Sequence, residues 1–264
     1  MTNILETIIA KKKAEVAERK ASKSISELEK LSFFGKQKLS LKEFLLLPDK
    51  TGIIAEFKKR SPSKGIINNS SFTGTVVKEY EKYGASAVSV LTDEDFFGGS
   101  LRDLEEAAAS LHIPVLRKDF MIDEYQLIES KAYGADIILL IAACLKKEEV
   151  KKLSAVAKKL GLNVLLEIHN HQELEHICDD VDVVGINNRD LKTFKVDINH
   201  SIELGKKIPS QKIKISESGL DDVKTLLHLK QNGFSGFLIG EKFMKEEDPG
   251  KAFGEFVNEL KIVK

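Results

Sequence analysis

The chain has 264 residues, 42% of them apolar, so it can bury a sizeable core as one large domain or two small ones. Its 41 basic and 41 acidic side chains cancel, which leaves no electrostatic reason to expect a nucleic acid or a membrane surface as partner. The sequence has no signal-peptide core, no apolar run long enough to cross a bilayer and only two cysteines, and these features predict a cytoplasmic protein.

The first 46 residues stand apart from the pattern that organises the rest of the chain. Their apolar positions have helical spacing, which predicts an amphipathic helix packed across the remaining fold. These positions are Ile4, Ile8, Ile9 and Val16. Lys11 to Lys13 are expected to form a solvated face of this helix. Because no Pro- or Gly-rich linker follows, we predict one domain over residues 1–264, of which residues 1–46 form an N-terminal helical extension.

Eight short apolar runs follow, and they show little alternation of apolar and polar residues. Such runs are typical of parallel strands that are covered by helices and buried on both faces. The runs are residues 53–57, 87–91, 113–118, 136–141, 163–168, 182–187, 212–216 and 236–240.

Seven segments between these runs are long enough for a helix. One begins behind Ser100, a favoured N-cap residue, and another is stopped by Gly233, which can adopt the left-handed cap conformation. Strict alternation of strand and helix implies a parallel sheet, and eight units predict an α/β fold, a closed (βα)8 or TIM barrel. A doubly wound open sheet is the alternative, but the turn KKRSPSKG after the first strand lacks its GxGxxG pattern.

Charged and polar side chains stand at the C-terminal ends of six predicted strands, where barrel enzymes carry their catalytic groups. They are Glu56, Lys58, Lys118, Glu167, Asn187, Arg189, Glu217, Ser218 and Glu241. Singly, each could be a solvated loop residue. Glu56 and Glu167, however, follow apolar runs within their strands, so we expect them to point into the barrel mouth, where a charge must be paired or functional.

The last two strand ends predict a phosphate site. SESG follows the seventh strand and LIGE the eighth, and barrels often bind phosphate with these two loops and a short extra helix. Gly219 and Gly240 would let the backbone approach the ligand, and a short helix from Glu241 would supply N–H groups.

Other polar clusters have plainer interpretations. His169, His171 and His176 lack matched carboxylate spacing, so we interpret them as loop residues and not as metal ligands. Asp93 to Asp95 are expected to form a solvated turn.

The chain resembles the indole-3-glycerol phosphate synthase family in motifs that run in order through nearly its whole length. They are IAEFKKRSPS from Ile54, LTD from Leu91, FFGGS from Phe96, RKDF from Arg117, LEI from Leu166, GINNRDL from Gly185, SESG from Ser216 and LIGE from Leu238. The N-terminal ILETIIAKKKAEV is also similar to the family's extension, whereas the segment from Ser32 to Ser40 fits it less well.

The resemblance implies a carboxy-lyase of tryptophan biosynthesis. Its substrate would be 1-(2-carboxyphenylamino)-1-deoxyribulose 5-phosphate, and its products indole-3-glycerol phosphate, carbon dioxide and water. Neither a cofactor nor a metal is expected. Ring closure needs a proton on the ribulose carbonyl oxygen, and the resemblance implies that Lys118, with a lowered pKa, is the general acid. Glu167, Lys58 and Glu56 would serve the dehydration, with the division of their roles left open.

The resemblance also implies the substrate-binding residues. Asn187, Arg189, Glu217 and Ser218 would orient the substrate and the charged side chains. The phosphate would be held by Ser61, Gly219, Gly240 and the backbone N–H of Glu241, with Lys58 as an alternative anion ligand. The apolar pocket for the anthranilate ring would consist of Phe97, Phe120, Leu139, Leu191 and Ile239. We hypothesise that the loop of residues 59–69 closes over the substrate.

Two other kinds of protein stay open. Phosphoribosylanthranilate isomerase and the tryptophan synthase α subunit are phosphate-binding barrels of the same pathway, but the isomerase is expected to use a Cys and an Asp, and Cys144 lies beyond the fourth strand. A non-catalytic barrel that only binds a phosphorylated ligand would need the phosphate loops without Lys118 and Glu167. The balanced charge and the absence of heptads make a monomer the default expectation.

Overall fold

The structure, a computed structural model, describes residues 4–190 and 195–263. Within these residues, eight parallel strands form a closed barrel. They are β1 (Ile53–Phe57), β2 (Ala87–Leu91), β3 (Val115–Lys118), β4 (Ile137–Ile141), β5 (Asn163–Ile168), β6 (Val183–Asn187), β7 (Ile213–Glu217) and β8 (Gly236–Ile239). Each strand pairs with the next along the chain, and β8 pairs with β1 to close the cylinder. The predicted (βα)8 barrel is confirmed, with strand ends shifted by at most two residues.

Helices surround this barrel and continue into the extension. They are α1 (Ile4–Ser22), α2 (Ile25–Leu28), α3 (Leu41–Leu46), α4 (Thr73–Lys82), α5 (Glu94–Phe97), α6 (Leu101–Ser110), α7 (Glu124–Ala132), α8 (Lys147–Lys159), α9 (Ile198–Gly205), α10 (Val223–Gln231), α11 (Glu241–Met244) and α12 (Pro249–Ile262). The Ser100 side chain caps α6 by accepting a hydrogen bond from Asp103 N, and Gly233 follows α10 with a φ of +80°, so both predicted helix boundaries are confirmed.

The connection between β5 and β6 differs from the regular pattern. It contains the short 3₁₀ helix Gln172–His176 where the alternation predicts an α-helix. Glu173 accepts a hydrogen bond from His169 N at 2.7 Å, and Asn170 Oδ1 accepts one from Glu173 N at 3.2 Å. Such side-chain to backbone bonds compete with the helical ladder and explain the tight turn. A second unpredicted feature is a hairpin of Arg60–Ser61 and Gly65–Ile66 after β1.

Apolar side chains fill the barrel interior and leave the polar site at one end. Ile54, Leu116 and Leu165 belong to the interior cluster, and Leu41 and Leu45 of α3 pack into the same cluster near the starts of β5 and β8. The N-terminal end of the barrel is therefore closed by apolar packing, while the C-terminal end stays open to a ligand.

The extension is anchored to the barrel by a buried lysine. The Lys12 side chain is only 1% exposed, and its Nζ lies 2.9 Å from carboxylate oxygens of both Asp93 and Asp119. The prediction of a solvated lysine face is therefore wrong for Lys12, and that of a solvated acidic turn is wrong for Asp93. These charged groups can be buried because the positive charge of Lys12 compensates the negative charges of the carboxylates.

The segment that fits the family less well also packs against the barrel. Leu39 N donates to Asp136 Oδ1 at 3.0 Å, and Asn163 Nδ2 donates to Leu39 O at 2.8 Å.

Among the described residues, no helix has both the length and the apolar character needed to cross a membrane.

Candidate active site

A cavity of about 240 Å³ opens at the C-terminal ends of the strands. With two exceptions, the residues that the sequence predicts for the site line this cavity. They are Glu56, Lys58, Ser61, Phe97, Lys118, Phe120, Glu167, Asn187, Arg189, Glu217, Ser218, Gly219, Ile239, Gly240 and Glu241. The structure thus brings together side chains that lie far apart in the chain.

The two exceptions are leucines. Leu139 is buried in the barrel interior and does not line the cavity, so its prediction as a pocket residue is wrong. Inward-facing residues alternate along a strand, and Ile141, two positions further toward the C-terminal end of β4, lines the cavity instead. Leu191 lies outside the described residues.

Four charged side chains form one layer across the barrel mouth. Glu56, Lys118, Glu167 and Glu217 come from β1, β3, β5 and β7, and alternate strands of a (βα)8 barrel supply the side chains of one interior layer. Lys118 Nζ lies 3.4 Å from Glu167 Oε2 and 3.7 Å from Glu217 Oε2. The three carboxyl groups are buried, with residue exposures of 2–3%. The strand geometry therefore holds the ammonium group of Lys118 among carboxyl groups.

These neighbours control the charge of Lys118. Burial alone would lower its pKa, but Glu167, Glu217 and Glu56 outweigh that effect and hold the pKa above its usual range. The prediction of a lowered pKa is therefore wrong. Lys118 is fully protonated and carries the proton that a general acid must donate.

The two carboxyl groups beside Lys118 differ in their proton affinity. Burial would raise the pKa of Glu167, but Lys118, His169 and a 3.0 Å hydrogen bond from Asn187 Nδ2 lower it below its usual range. Burial, reinforced by the charges of Glu167 and Glu56, raises the pKa of Glu217 to about 8. One site thus contains an ionised carboxylate and a carboxyl group that holds its proton near neutral pH.

A second ion pair lies at the end of β1. Lys58 Nζ is 2.6 Å from Glu56 Oε1, and both side chains face the cavity. Glycines leave room for the carboxyl groups, since a Cβ at Gly240 would overlap the Glu56 side chain and one at Gly185 would overlap the Glu217 carboxyl oxygen. Gly185 belongs to a family motif, but its contact with Glu217 was not predicted from the sequence.

The predicted phosphate loops meet at one side of the cavity. Ser218 and Gly219 both have positive φ angles, 70° and 65°, and Glu241 begins the short helix α11 directly after Gly240. Arg189 reaches the same corner, where its Nη1 lies 3.3 Å from Ser63 Oγ and its Nη2 3.6 Å from Glu241 Oε2. This corner combines close backbone approach with a cation, which suits an anionic group.

Apolar side chains form a further wall of the cavity. The rings of Phe97 and Phe120 lie 6.1 Å apart, and Ile239 also faces the cavity. Ile4, Leu5 and Ile8 of α1 complete this wall. Sequence reasoning identified the apolar face of α1 but not its place in the site, because spacing alone does not reveal which surface a helix covers.

His169 is the main polar residue that the sequence interpretation missed. Its Nε2 lies 3.1 Å from Glu167 Oε1, and its Nδ1 lies 3.2 Å from Glu173 Oε2. The other two histidines of this stretch have separate partners, since His176 contacts the Leu145 carbonyl and His171 packs edge-to-face against His200. The available signal was the position of His169 two residues after Glu167, on the inward-facing side of the same strand end.

Known proteins with similar sequences include members of one family. The family model described as indole-3-glycerol phosphate synthase matches residues 5–256. An indole-3-glycerol phosphate synthase of Bacteroides thetaiotaomicron is 46% identical over 260 residues, covering 98% of this chain and 100% of the relative. The one of Polynucleobacter asymbioticus is 42% identical, covering 97% of this chain and 99% of the relative.

Similar solved structures support the fold independently. The tryptophan synthase α subunit of Legionella pneumophila has a TM-score of 0.62 over 84% of this chain and 97% of its own, with 14% sequence identity. At that identity the similarity shows the barrel fold alone. The family model and the sequence relatives cover almost all of the described barrel and its site, and the chain therefore belongs to the indole-3-glycerol phosphate synthase family.

Proposed function

We propose that this chain converts 1-(2-carboxyphenylamino)-1-deoxyribulose 5-phosphate into indole-3-glycerol phosphate, with release of carbon dioxide and water. The observation that carries the proposal is the position of Lys118. It lies among buried carboxyl groups in a cavity that also contains an anion-binding corner and an aromatic wall. A substrate with a phosphate at one end and an aromatic ring at the other matches that polarity.

The anion-binding corner and the aromatic wall fold the substrate for ring closure. The phosphate binds at Ser61, Gly219, Gly240 and the N–H of Glu241, with Arg189 nearby, and the anthranilate ring packs against Phe97 and Phe120. Held at both ends, the substrate brings its ring carbon against the ribulose carbonyl carbon. Positioning of this kind can supply about 7–11 kcal/mol of the barrier in favourable cases.

Lys118 is the general acid of ring closure. As the carbon–carbon bond forms, the carbonyl π electrons move to oxygen, and Lys118 transfers a proton to that oxygen to give the hydroxyl. The bond to the carboxylate then breaks, carbon dioxide leaves, and its electron pair restores the aromatic ring. The carboxyl groups around Lys118 keep the required proton on it before the reaction.

Dehydration needs an acid at the departing hydroxyl and a base for a ring proton. Glu167 is the base, since its neighbours keep it ionised, and the adjacent Lys58–Glu56 pair supplies the proton that leaves with the hydroxyl as water. Asn187 orients Glu167, and Glu217 and Ser218 orient Lys118 and the substrate. This division assigns acid to Lys58 and base to Glu167.

The enzyme acts as a cytoplasmic monomer on a phosphorylated small molecule, without a nucleic acid or membrane partner. The balance of 41 basic and 41 acidic side chains supports the absence of a nucleic acid or membrane partner. Light scattering after gel filtration tests the monomer, and a mass of twice the chain would contradict it.

The direct test mixes the purified protein with carboxyphenylamino-deoxyribulose phosphate in the absence of added metal. The proposal predicts a rise in indole fluorescence together with release of carbon dioxide. If substrate binds but neither signal develops, the barrel is a phosphate-ligand binder, and the proposed chemistry is wrong.

A further inference from the structure

His169 occupies the side of Glu167 that faces away from Lys118. Glu167 Oε2 faces Lys118, at 3.4 Å, whereas Oε1 lies 3.1 Å from His169 Nε2 and accepts a hydrogen bond from Asn187. The two carboxylate oxygens therefore have different cationic neighbours. The His169 side chain is only 9% exposed, so these contacts are shielded from solvent.

Glu173 fixes the other edge of the imidazole ring. Its Oε2 lies 3.2 Å from His169 Nδ1 and accepts from His169 N at 2.7 Å, while its Oε1 accepts from Asn170 Nδ2 at 2.7 Å. Carboxylate oxygens at 3.1 Å from Nε2 and 3.2 Å from Nδ1 favour a ring that carries a proton on both nitrogens, which makes it a cation. The 3₁₀ turn that interrupts the regular barrel pattern is what brings Glu173 to this position.

The charged groups around His169 come from several elements. Glu167 on β5 and Glu173 on the 3₁₀ turn raise the pKa of His169 to about 10, against the effect of burial. Lys118 on β3 and Glu217 on β7 lie across Glu167, and His200 on α9 reaches the His169 carbonyl oxygen at 3.0 Å. Burial, reinforced by the charges of Glu167 and Glu173, raises the pKa of the nearby Cys144 thiol. The imidazolium is thus the partner of two carboxylates.

The His169 imidazolium can act during the catalytic cycle, at the step where Lys118 is neutral. When Lys118 donates its proton it becomes neutral, and Glu167 loses the positive charge beside Oε2. Glu167 must nevertheless stay ionised, because it has yet to accept a proton from the ring. A second cation that takes no part in proton transfer can keep the carboxylate ionised through that step.

We propose that His169, held by Glu173, is a positioning residue that keeps Glu167 ionised and oriented while Lys118 is neutral. This inference rests on the proposed function, because it assigns His169 to the base of that reaction. His169 does not line the substrate cavity, so it acts through Glu167 and not on the substrate.

The test compares His169→Asn with the wild type in kcat and KM across pH. Asparagine is close in size but cannot carry the charge. We expect kcat to fall at least about tenfold, as orienting partners of a catalytic base contribute that much or more. KM should change little, and the acid limb of the kcat profile should move to higher pH, because Glu167 without its cation binds a proton more readily.

Two further variants keep the test decisive. Glu173→Gln leaves the ring in place but weakens its charge, so it should shift the acid limb in the same direction by a smaller amount, even if His169→Asn fails to fold. His171→Asn is the matched control, since His171 is exposed on the same turn, and should behave as wild type. An active wild type with unshifted acid limbs in His169→Asn and Glu173→Gln would overturn this inference alone. An inactive wild type would instead overturn the proposed function.

Discussion

At the scale of single residues, the side chains of the charged layer at the barrel mouth determine one another's protonation states. Lys118 is held protonated by three carboxyl groups, and it in turn keeps Glu167 ionised. Glu217 receives less compensation, because Glu167 and Glu56 lie nearby and one of its oxygens has no hydrogen-bond partner among the described residues. A proton near neutral pH is therefore most stable on Glu217.

This difference predicts an unusual titration. In the unliganded enzyme, Glu217 should lose its proton at a pH of about 8, because burial and two neighbouring carboxyl groups oppose its charge. Infrared difference spectroscopy between pH values of about 6 and about 10, which bracket the transition, would detect loss of the C=O stretch of a protonated carboxyl group. The same signal should be absent from Glu217→Gln. A stretch that persists in that variant would assign the proton to another group.

Folding stability should depend on pH in the same way. The pKa of Glu217 is 4.5 in a solvated reference and about 8 in the folded protein, so the folded state binds the extra proton between these values. Wild-type stability then falls as pH rises from 4.5 to about 8. Glu217→Gln should escape that loss, and its free energy of unfolding relative to wild type should increase across the window in urea titrations. A difference that is constant with pH would contradict the raised pKa.

At the scale of the elements, the start of α11 needs a residue without a side chain at position 240. A Cβ on Gly240 would overlap the Glu56 side chain, so Gly240→Ala must displace a group of the charged layer. We expect kcat to fall about 100-fold with the fold retained, because small displacements of reacting groups cost that much. Gly35→Ala is the control, since a Cβ there meets nothing within 4 Å, and circular dichroism checks the fold. Unchanged activity in Gly240→Ala would show that Glu56 need not hold this position.

The packing of helix α1 against the barrel depends on the buried ion pairs of Lys12. Lys12→Met preserves the length of the side chain but leaves Asp93 without its cation and Asp119 with only Arg117. We expect a loss of about 3–5 kcal/mol in the free energy of unfolding, as for other buried ion pairs from which one partner is removed. Lys13→Met, at an exposed position on the same helix, should change stability little. Equal effects of the two substitutions would mean that the buried pairs contribute nothing specific.

The strands and helices were largely predictable from local pattern, whereas these contacts were not. Short apolar runs indicate parallel strands because both of their faces are buried, and the helix after Ser100 has a clear start signal. Lys12 sits in the run Lys11 to Lys13, and nothing local distinguishes it from its neighbours. Its partners Asp93 and Asp119 approach it only when α1 packs over the ends of β2 and β3.

At the scale of the whole molecule, the N-terminal extension contacts both ends of the barrel. Ile4 and Ile8 of α1 line the cavity at the C-terminal end of the barrel, while Leu39 and Leu41 hydrogen-bond to residues near its N-terminal end. Between them, Arg19 pairs with Glu129 on α7 at 3.1 Å. The extension therefore spans the height of the barrel and contributes to both its ends.

This arrangement predicts that extension and barrel unfold together. We propose that residues 1–264 are one domain, so a fluorophore on α1, at the exposed position Lys13, and far-ultraviolet circular dichroism of the barrel should report the same urea midpoint. If the extension were independent, the α1 probe would change at a lower urea concentration, and the single-domain proposal would be wrong.

The site could be predicted from sequence as far as strand ends determine it. Glu56, Lys118, Glu167 and Glu217 were identifiable because polar residues closed apolar runs in a regular series. His169 was missed because its importance lies in a turn geometry that brings Glu173 to its far side. Leu139 was misplaced because neither the run of apolar residues in β4 nor the resemblance specifies which inward-facing residue is the last below the cavity.

We propose that this barrel performs its chemistry through Lys118, and the most direct test measures turnover and substrate binding in Lys118→Ala and Lys58→Ala beside the wild type. We expect the wild type to produce indole fluorescence. Lys118→Ala should still bind the substrate but lose at least about 100-fold in kcat, as for removal of a general acid. Full turnover in Lys118→Ala, with the loss appearing only in Lys58→Ala, would contradict the account and transfer the ring-closing acid to Lys58.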